Sequence, residues 1–324
     1  MAGTTKFWLI VAFLLLVLGI LLFSLILMTN GFDIFRDKGE TNTQEVTDDF
    51  TNISLSTSTA DILFLPSEDG KTKVVCHENP KAKHSAKVND GTLTINEVDE
   101  RKWYDHVGFN VYKTKITVYL PEAEYGSLLI TASTGDINVA KDFMFNSANI
   151  NLSTGDVKFL ASTKNDLSIK TSTGDIKLEG GAFASATLSV STGDIVLEGV
   201  ACTDDISISV STGNSYLTDV TAKNLTSAGS TGDMKLGNVI IGEKISIKRS
   251  TGDILFSDCD GGEIHIETNT GDVTGTLISQ KVFITKTSTG KIDVPEEMSG
   301  GKCKITTSTG NIKISYSAGA ASTQ

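Results

Sequence analysis

The sequence predicts an all-β fold: a single-stranded parallel β-solenoid (β-helix) of about 10–11 rungs of 19–20 residues, preceded by one transmembrane helix. Three observations carry this. The word Ser-Thr-Gly-Asp, or a close variant, starts at Ser133, Ser153, Ser172, Ser191, Ser211, Ser230, Ser250, Asn269, Ser288 and Ser308. Apolar residues keep fixed offsets from the glycine of that word. An uncharged apolar run lies near the N-terminus.

Residues 1–6 form a short leader. From Phe7 to Met28 the chain is uncharged and almost wholly apolar for 22 residues, enough to cross a bilayer as a helix. Thr29, Asn30, Gly31 and Phe32 follow and offer no small-x-small cleavage site, so a retained single-pass anchor is expected rather than a cleaved signal peptide. Lys6 on one side and Arg36 and Lys38 on the other leave the positive-inside count nearly neutral. The short leader places the N-terminus in the cytoplasm and the solenoid outside it. Residues 29–45, rich in Thr and Asn, read as a polar linker.

Residues 46–126 read as an irregular β section that caps the stack. Ile53, Leu55, Thr57, Thr59, Asp61, Ile62 and Phe64 fall at the repeat offsets if Ala60 stands for the glycine, which makes an eleventh rung. Strand-like runs follow at residues 73–75, 93–95 and 116–120, the last closed by Pro121. A cap is needed because an open end presents unpaired strand edges.

Residues 127–316 form the regular solenoid, and 317–324 a flexible tail. Its ten corner glycines are Gly135, Gly155, Gly174, Gly193, Gly213, Gly232, Gly252, Gly271, Gly290 and Gly310. Five residues before the glycine stand Ile130, Ile150, Ile169, Leu188, Ile208, Ile247, Ile266 and Ile305, with Ser227 and Thr285 as exceptions. Two residues after it stand Ile or Val in most rungs, such as Ile137, Val157 and Ile176. A spacing of two within each set is strand periodicity. The inward offsets are odd before the glycine and even after it, so the word is a corner that re-aims the chain. The aspartate suits an Asx-type turn, and the corner threonines, Thr134 through Thr309, have the parity of a buried hydroxyl ladder.

The net charge is −11, with no basic stripe or polybasic patch, which argues against nucleic acid and anionic lipid as partners. Cys76, Cys202, Cys259 and Cys303 show no CxxC spacing and read as free, mostly buried thiols. The sharpest metal candidate is the column Asp136, Asp156, Asp175, Asp194, Asp233, Asp253 and Asp272, since stacked carboxylates could bind Ca²⁺. Asn214, Asn311 and Lys291 share that column, and the Gly-Gly-x-Gly-x-Asp nonapeptide of calcium β-rolls does not occur. Turn chemistry is therefore the favoured reading, with no cofactor and no metal.

Histidines are scattered, and adjacent Cys76 and His77 match no recognised metal or catalytic pattern. Trp103, Tyr104 and His106 form an aromatic cluster suited to packing or contact. No Gly-x-Ser-x-Gly, P-loop or paired-carboxylate setting is present, and an enzyme is not expected.

Asn52-Ile53-Ser54 with Thr59-Ala60-Asp61-Ile62, then Ile116-Thr117-Val118-Tyr119-Leu120-Pro121, then Ser-Thr-Gly-Asp-Ile rungs, together resemble the bacterial putative-adhesin family, domain of unknown function 4097. The resemblance covers about residues 46–316 and rests on rung-building residues. It implies a bacterial cell-envelope β-solenoid without an established enzymatic activity. The function expected is a membrane-anchored structural or binding module for a cell-envelope protein or glycan. The alternatives are an envelope-stress sensor or scaffold that binds another membrane protein, and a bactofilin-like end-to-end polymer.

Overall fold

The computed structural model describes residues 2–30, 39–102 and 113–317. It is a β-solenoid with one helix, α1 (Ala2–Asn30). Within α1, Lys6–Leu25 is long and apolar enough to cross a membrane, and none of that span is buried. The aromatic cluster at Trp103, Tyr104 and His106 lies outside the described residues.

Successive rungs pair in parallel, in register, column on column. Ile130 faces Ile150, Ile150 faces Ile169, and Ile169 faces Leu188. Isoleucine and valine recur because the β-branched side chain packs well on a pleated, half-buried surface. Ile130, Ile150, Ile176, Leu188, Ile195 and Leu197 are fully buried. At about 25 cal/mol per Å² of apolar area, each such side chain contributes roughly 1.5–3 kcal/mol. Near the N-terminal end the interior is aromatic, with Tyr125, Phe143, Phe145, Phe159 and Phe183 in successive ring contact.

The corner differs from the sequence reading in two respects. First, the corner threonines are exposed in all ten rungs, so they form no buried hydroxyl ladder. The chain has already turned at the serine: Ala132 pairs with Leu152, the serines are skipped, and Thr134 pairs with Thr154. The change of parity thus falls before the glycine, and the last inward position belongs to the residue three before it. At three of these positions a threonine hydroxyl donates to a corner carbonyl of a neighbouring rung, Thr171 to Gly155 at 3.4 Å, Thr287 to Gly310 at 3.0 Å and Thr307 to Gly271 at 3.2 Å, whereas Thr268 donates to Thr270 of its own rung.

Second, the corner aspartates reach the adjacent rung. Asp136 Oδ1 accepts the backbone N–H of Asp156, Asp156 that of Asp175, and Asp175 that of Asp194, at 2.9, 2.8 and 2.7 Å. Parallel stacking puts the neighbouring corner amide about one strand spacing, roughly 4.8 Å, away, within the reach of so short a side chain.

At the N-terminal end β2 (Asn52–Thr59) and β3 (Asp61–Pro66) build the rung around Ala60, with Ile53, Leu55, Ile62 and Phe64 buried. The chain then runs outward before it returns. With β1 as Glu40–Val46, β4 as Thr72–Glu78, β5 as Ala82–Asn89, β6 as Thr92–Asp99 and β7 as Lys115–Leu120, the outer partners of β2 and β3 are β6 and β7. Antiparallel β5 covers β6, β4 covers β7, and β1 covers β4. The inner partners are β8 (Glu124–Thr134) and β9 (Ile137–Val139).

The C-terminal end departs from sequence order too. Strand Ile254–Thr270 pairs with Gly301–Thr309, and only then does Gly301–Thr309 pair with Lys281–Thr289. The second side follows suit, Val273–Leu277 to Ile312–Tyr316 to Ile292–Asp293. The final rung is therefore slotted inside, and the rung of Gly290 is outermost.

Candidate functional site

At Gly193 the corner takes φ +141°, a region that residues with a Cβ rarely adopt. A Cβ there would lie 2.2 Å from the carbonyl oxygen of Gly174, so the stacking itself also demands glycine. The other nine corner glycines share this left-handed backbone, between +123° and +153°. A second corner column lies six residues on, where Gly180, Gly199, Asp219, Asn238 and Asp258 adopt φ between +51° and +69°. Asn and Asp tolerate that conformation better than most residues.

The structure brings all seven candidate aspartates into one column, exposed or half-buried. The ladder begins at Asp61, whose Oδ1 accepts the Asp136 amide at 3.0 Å. It passes through Asp194 to Asn214 at 2.7 Å, Asn214 to Asp233 at 2.9 Å, Asp233 to Asp253 at 2.9 Å and Asp253 to Asp272 at 2.8 Å. It continues to Asn311 at 2.7 Å and ends at Lys291 at 3.0 Å. Asparagine serves because its Oδ1 accepts as well as a carboxylate oxygen does. Lysine is tolerated in the outermost rung, which has no further corner amide to receive.

Flanking that column, the corner serines or asparagine and the threonines form a double stripe of exposed side chains along the stack. Near the N-terminal end the stripe borders an open polar groove of about 470 Å³ lined by Ser56, Thr57, Ser58, Asn96, Glu97, Thr131 and Ser133. A second open groove, about 610 Å³, runs along Leu65, Pro66, Ser67, Glu68, Asp69, Lys73 and Tyr119.

Among the buried polar groups that escaped the sequence reading are two in the core. Arg249 lies in the core, 3 % exposed, and its Nη2 donates to Ser227 Oγ at 2.9 Å and Ser215 Oγ at 3.1 Å. Burial lowers the pKa of this guanidinium to about 10. Ser227 was visible as an exception in an isoleucine column, but the reason for the exception lay one rung away. The other group joins Cys76, Glu78 and His84, all buried. Alternation along β4 puts Cys76 and Glu78 on the inner face and His77 on the opposite one, so the adjacent Cys76–His77 pair is split. A strand period of two across residues 76–78, with the turn at 79–81, was the signal available.

All four cysteines are free and buried. Burial pushes the thiols of Cys76, Cys202 and Cys303 up to about 12.

A parallel β-solenoid with a Ser-Thr-Gly-Asp corner and a side-chain-to-backbone ladder along it defines the class of protein. The chain belongs to the Toastrack DUF4097 family, whose sequence profile matches residues 50–204 and 202–324. Among solved structures it is similar to a putative adhesin from Bacteroides fragilis, with 17% identity and a TM-score of 0.44 over 85% of this chain and 97% of that one. It is also similar to a protein from Parabacteroides distasonis described as a putative lipid binding protein, with 17% identity and a TM-score of 0.46 over 86% and 98%. A putative adhesin of the same organism shows 12% identity and a TM-score of 0.44 over 85% and 98%. No curated protein matches the chain.

Proposed function

We propose that the chain is a membrane-anchored cell-envelope β-solenoid, N-terminus cytoplasmic and solenoid extracytoplasmic, that acts as a non-catalytic binding module. The observation that carries this is the exposed double stripe beside the aspartate ladder. It repeats one polar, hydroxyl-rich motif at strand spacing on a rigid support, which suits an extended polar partner such as a glycan or an envelope protein. In this reading the aspartates are corner-formers that hold rung to rung, not a metal site. The apolar helix, uncharged from Phe7 to Met28, supports the anchor.

The test has two parts. Protease added to intact spheroplasts is expected to digest the solenoid and leave the first residues protected; protection of the solenoid reverses the orientation. A glycan array and a pull-down with the purified protein then look for the partner. Loss of capture when exposed corner threonines, such as Thr173, Thr192 and Thr212, are changed to lysine supports the stripe, and unchanged capture removes it.

One observation favours a second reading, contact between the open ends of two copies, in place of the end-to-end polymer. Among the described residues the outermost rung has no partner on its outer edge, and Ile284 and Ile292 there are 52 % and 46 % exposed. The opposite end is closed by antiparallel strands, so copies would meet at this end and form a pair rather than a filament. Sedimentation of the protein against an Ile284→Lys variant distinguishes the two readings.

A further inference from the structure

We propose that Cys76, Glu78 and His84 form a buried Zn²⁺ site at the capped end of the solenoid. One donor atom from each, the Cys76 thiol sulfur, a Glu78 carboxylate oxygen and a His84 ring nitrogen, lie within 4.8 Å of one another. The strands explain the gathering. Cys76 and Glu78 are two apart on the inner face of β4, and the turn after Glu78 brings His84 of β5 back against them. His84 is 2 % exposed, and Cys76 and Glu78 are fully buried.

The second observation is an orphaned oxygen. Glu78 Oε2 accepts from the His84 backbone amide at 2.7 Å and contacts His84 Nδ1 at 2.8 Å, whereas Glu78 Oε1, equally buried, has no hydrogen-bond partner among the described residues. A buried carboxylate oxygen without a partner carries its desolvation cost uncompensated. A cation bound beside it removes that cost.

The donor set selects the ion. Thiolate and imidazole exclude Ca²⁺ and Mg²⁺, which take oxygen ligands, and suit Zn²⁺, which accepts sulfur, nitrogen and carboxylate oxygen together. The histidine is already oriented for the task. Its Nε2 lies 2.9 Å from Thr57 Oγ1, which leaves Nδ1, facing Glu78, as the ligating nitrogen. Ligating histidines characteristically donate their other ring N–H to an oxygen, and Thr57 supplies it here. Zinc would bind Glu78 through the unpartnered Oε1 and take the place of a proton on His84 Nδ1 and of the thiol proton of Cys76, with one coordination position left for an oxygen ligand. Its effect would be to pin the β4–β5 turn against the first rung.

The test uses the full-length protein in detergent, produced in zinc-supplemented medium and washed with a weak chelator. Elemental analysis is expected to find about one zinc per chain, the stoichiometry of a single three-ligand site. Cobalt in its place is expected to give a thiolate-to-metal charge-transfer band. Cys76→Ala, which removes one sulfur from a packed strand, should abolish both signals with an unchanged β-type circular dichroism spectrum. Cys303→Ala should leave both intact. Glu78→Gln keeps an acceptor for the His84 amide and should still lose the metal. Thr57→Val should weaken zinc binding by roughly 10–100-fold, as loss of an orienting partner does. A wild-type protein without zinc overturns the proposal, and so does a Cys76→Ala protein that binds it equally well.

Discussion

At the scale of single residues, the corner word separates into parts with different duties. Glycine meets a backbone and a stacking demand at once, so Gly193→Val is expected to cost at least about 1–3 kcal/mol for the φ alone, with the contact to Gly174 in addition. Asp194 needs only an acceptor. Asp194→Asn is expected to stay within about 0.5 kcal/mol of the parent, whereas Asp194→Ala loses the bond to the Asn214 amide and costs about 1 kcal/mol. Denaturant melts measure all three, and an Asp194→Asn protein as unstable as Asp194→Ala would falsify the ladder as a set of hydrogen bonds. The cysteines allow a test against pH. Away from the proposed metal site, burial holds the folded-state thiols of Cys202 and Cys303 above the unfolded value near 9.0, so the unfolded chain ionises first and stability is expected to fall from about pH 9 towards 12. All four thiols should resist an aqueous thiol reagent at neutral pH until the protein unfolds. The glycine and aspartate columns were legible in the sequence because period alone exposes them. The exposure of the threonines was not, since parity counted from the glycine cannot reveal that the chain turns two residues earlier.

At the scale of an element, the exceptions to the repeat are the informative positions. Ser215, Ser227 and Gly229 break three apolar columns in neighbouring rungs, and in the fold they surround one side chain, Arg249. Gly229 makes the room, for a Cβ there would lie 2.6 Å from Arg249 Nη1. Each exception looks like noise alone, because the pattern that unites them runs across the stack rather than along the chain. Arg249→Ala is expected to cost on the order of 1–3 kcal/mol, as a cavity opens beside two hydroxyls that lose their donor. Arg249→Val with Ser227→Ile restores an apolar pair, and buried charges replaced in this way are often neutral or better. A thermal melt of that double variant at or above the parent value checks the point, while a lower one shows that the hydroxyls need the arginine. The Cys76, Glu78 and His84 group hid for the same reason, split between two strands and masked by the neighbouring His77.

At the scale of the whole molecule, the repeat dictated a parallel stack but not the order of its last members. Every rung offers the same columns to every other, so pairing Ile266 with Ile305 buries much the same surface as pairing it with Thr285. The outcome is visible in details the sequence did carry: Lys291 in the aspartate column and Thr285 in the isoleucine column both belong to the rung that ends up outside. Hydrogen exchange gives a direct check. In a solenoid stacked in sequence order the last rung frays first. Here strand Gly301–Thr309, with Ile312 and Lys313, is flanked on both sides, and these residues are expected to exchange more slowly than Lys281–Thr289, which precedes them in the chain. Faster exchange at these residues would return the stack to sequence order.

The same inserted rung sets a problem of timing during synthesis. A chain growing from the ribosome completes residues 281–294 before 301–316 exist, at a moment when the edge of Ile254–Thr270 stands open beside it. The nearest edge is the wrong one. To reach its final neighbour, the earlier segment must leave that edge vacant or later give it up to the segment that follows. A premature pairing has almost the same columns as the native one, so it forms a kinetic trap with little difference in energy to drive its escape. Refolding of the complete chain is therefore expected to show a slow phase that a chain ending before residue 281 lacks.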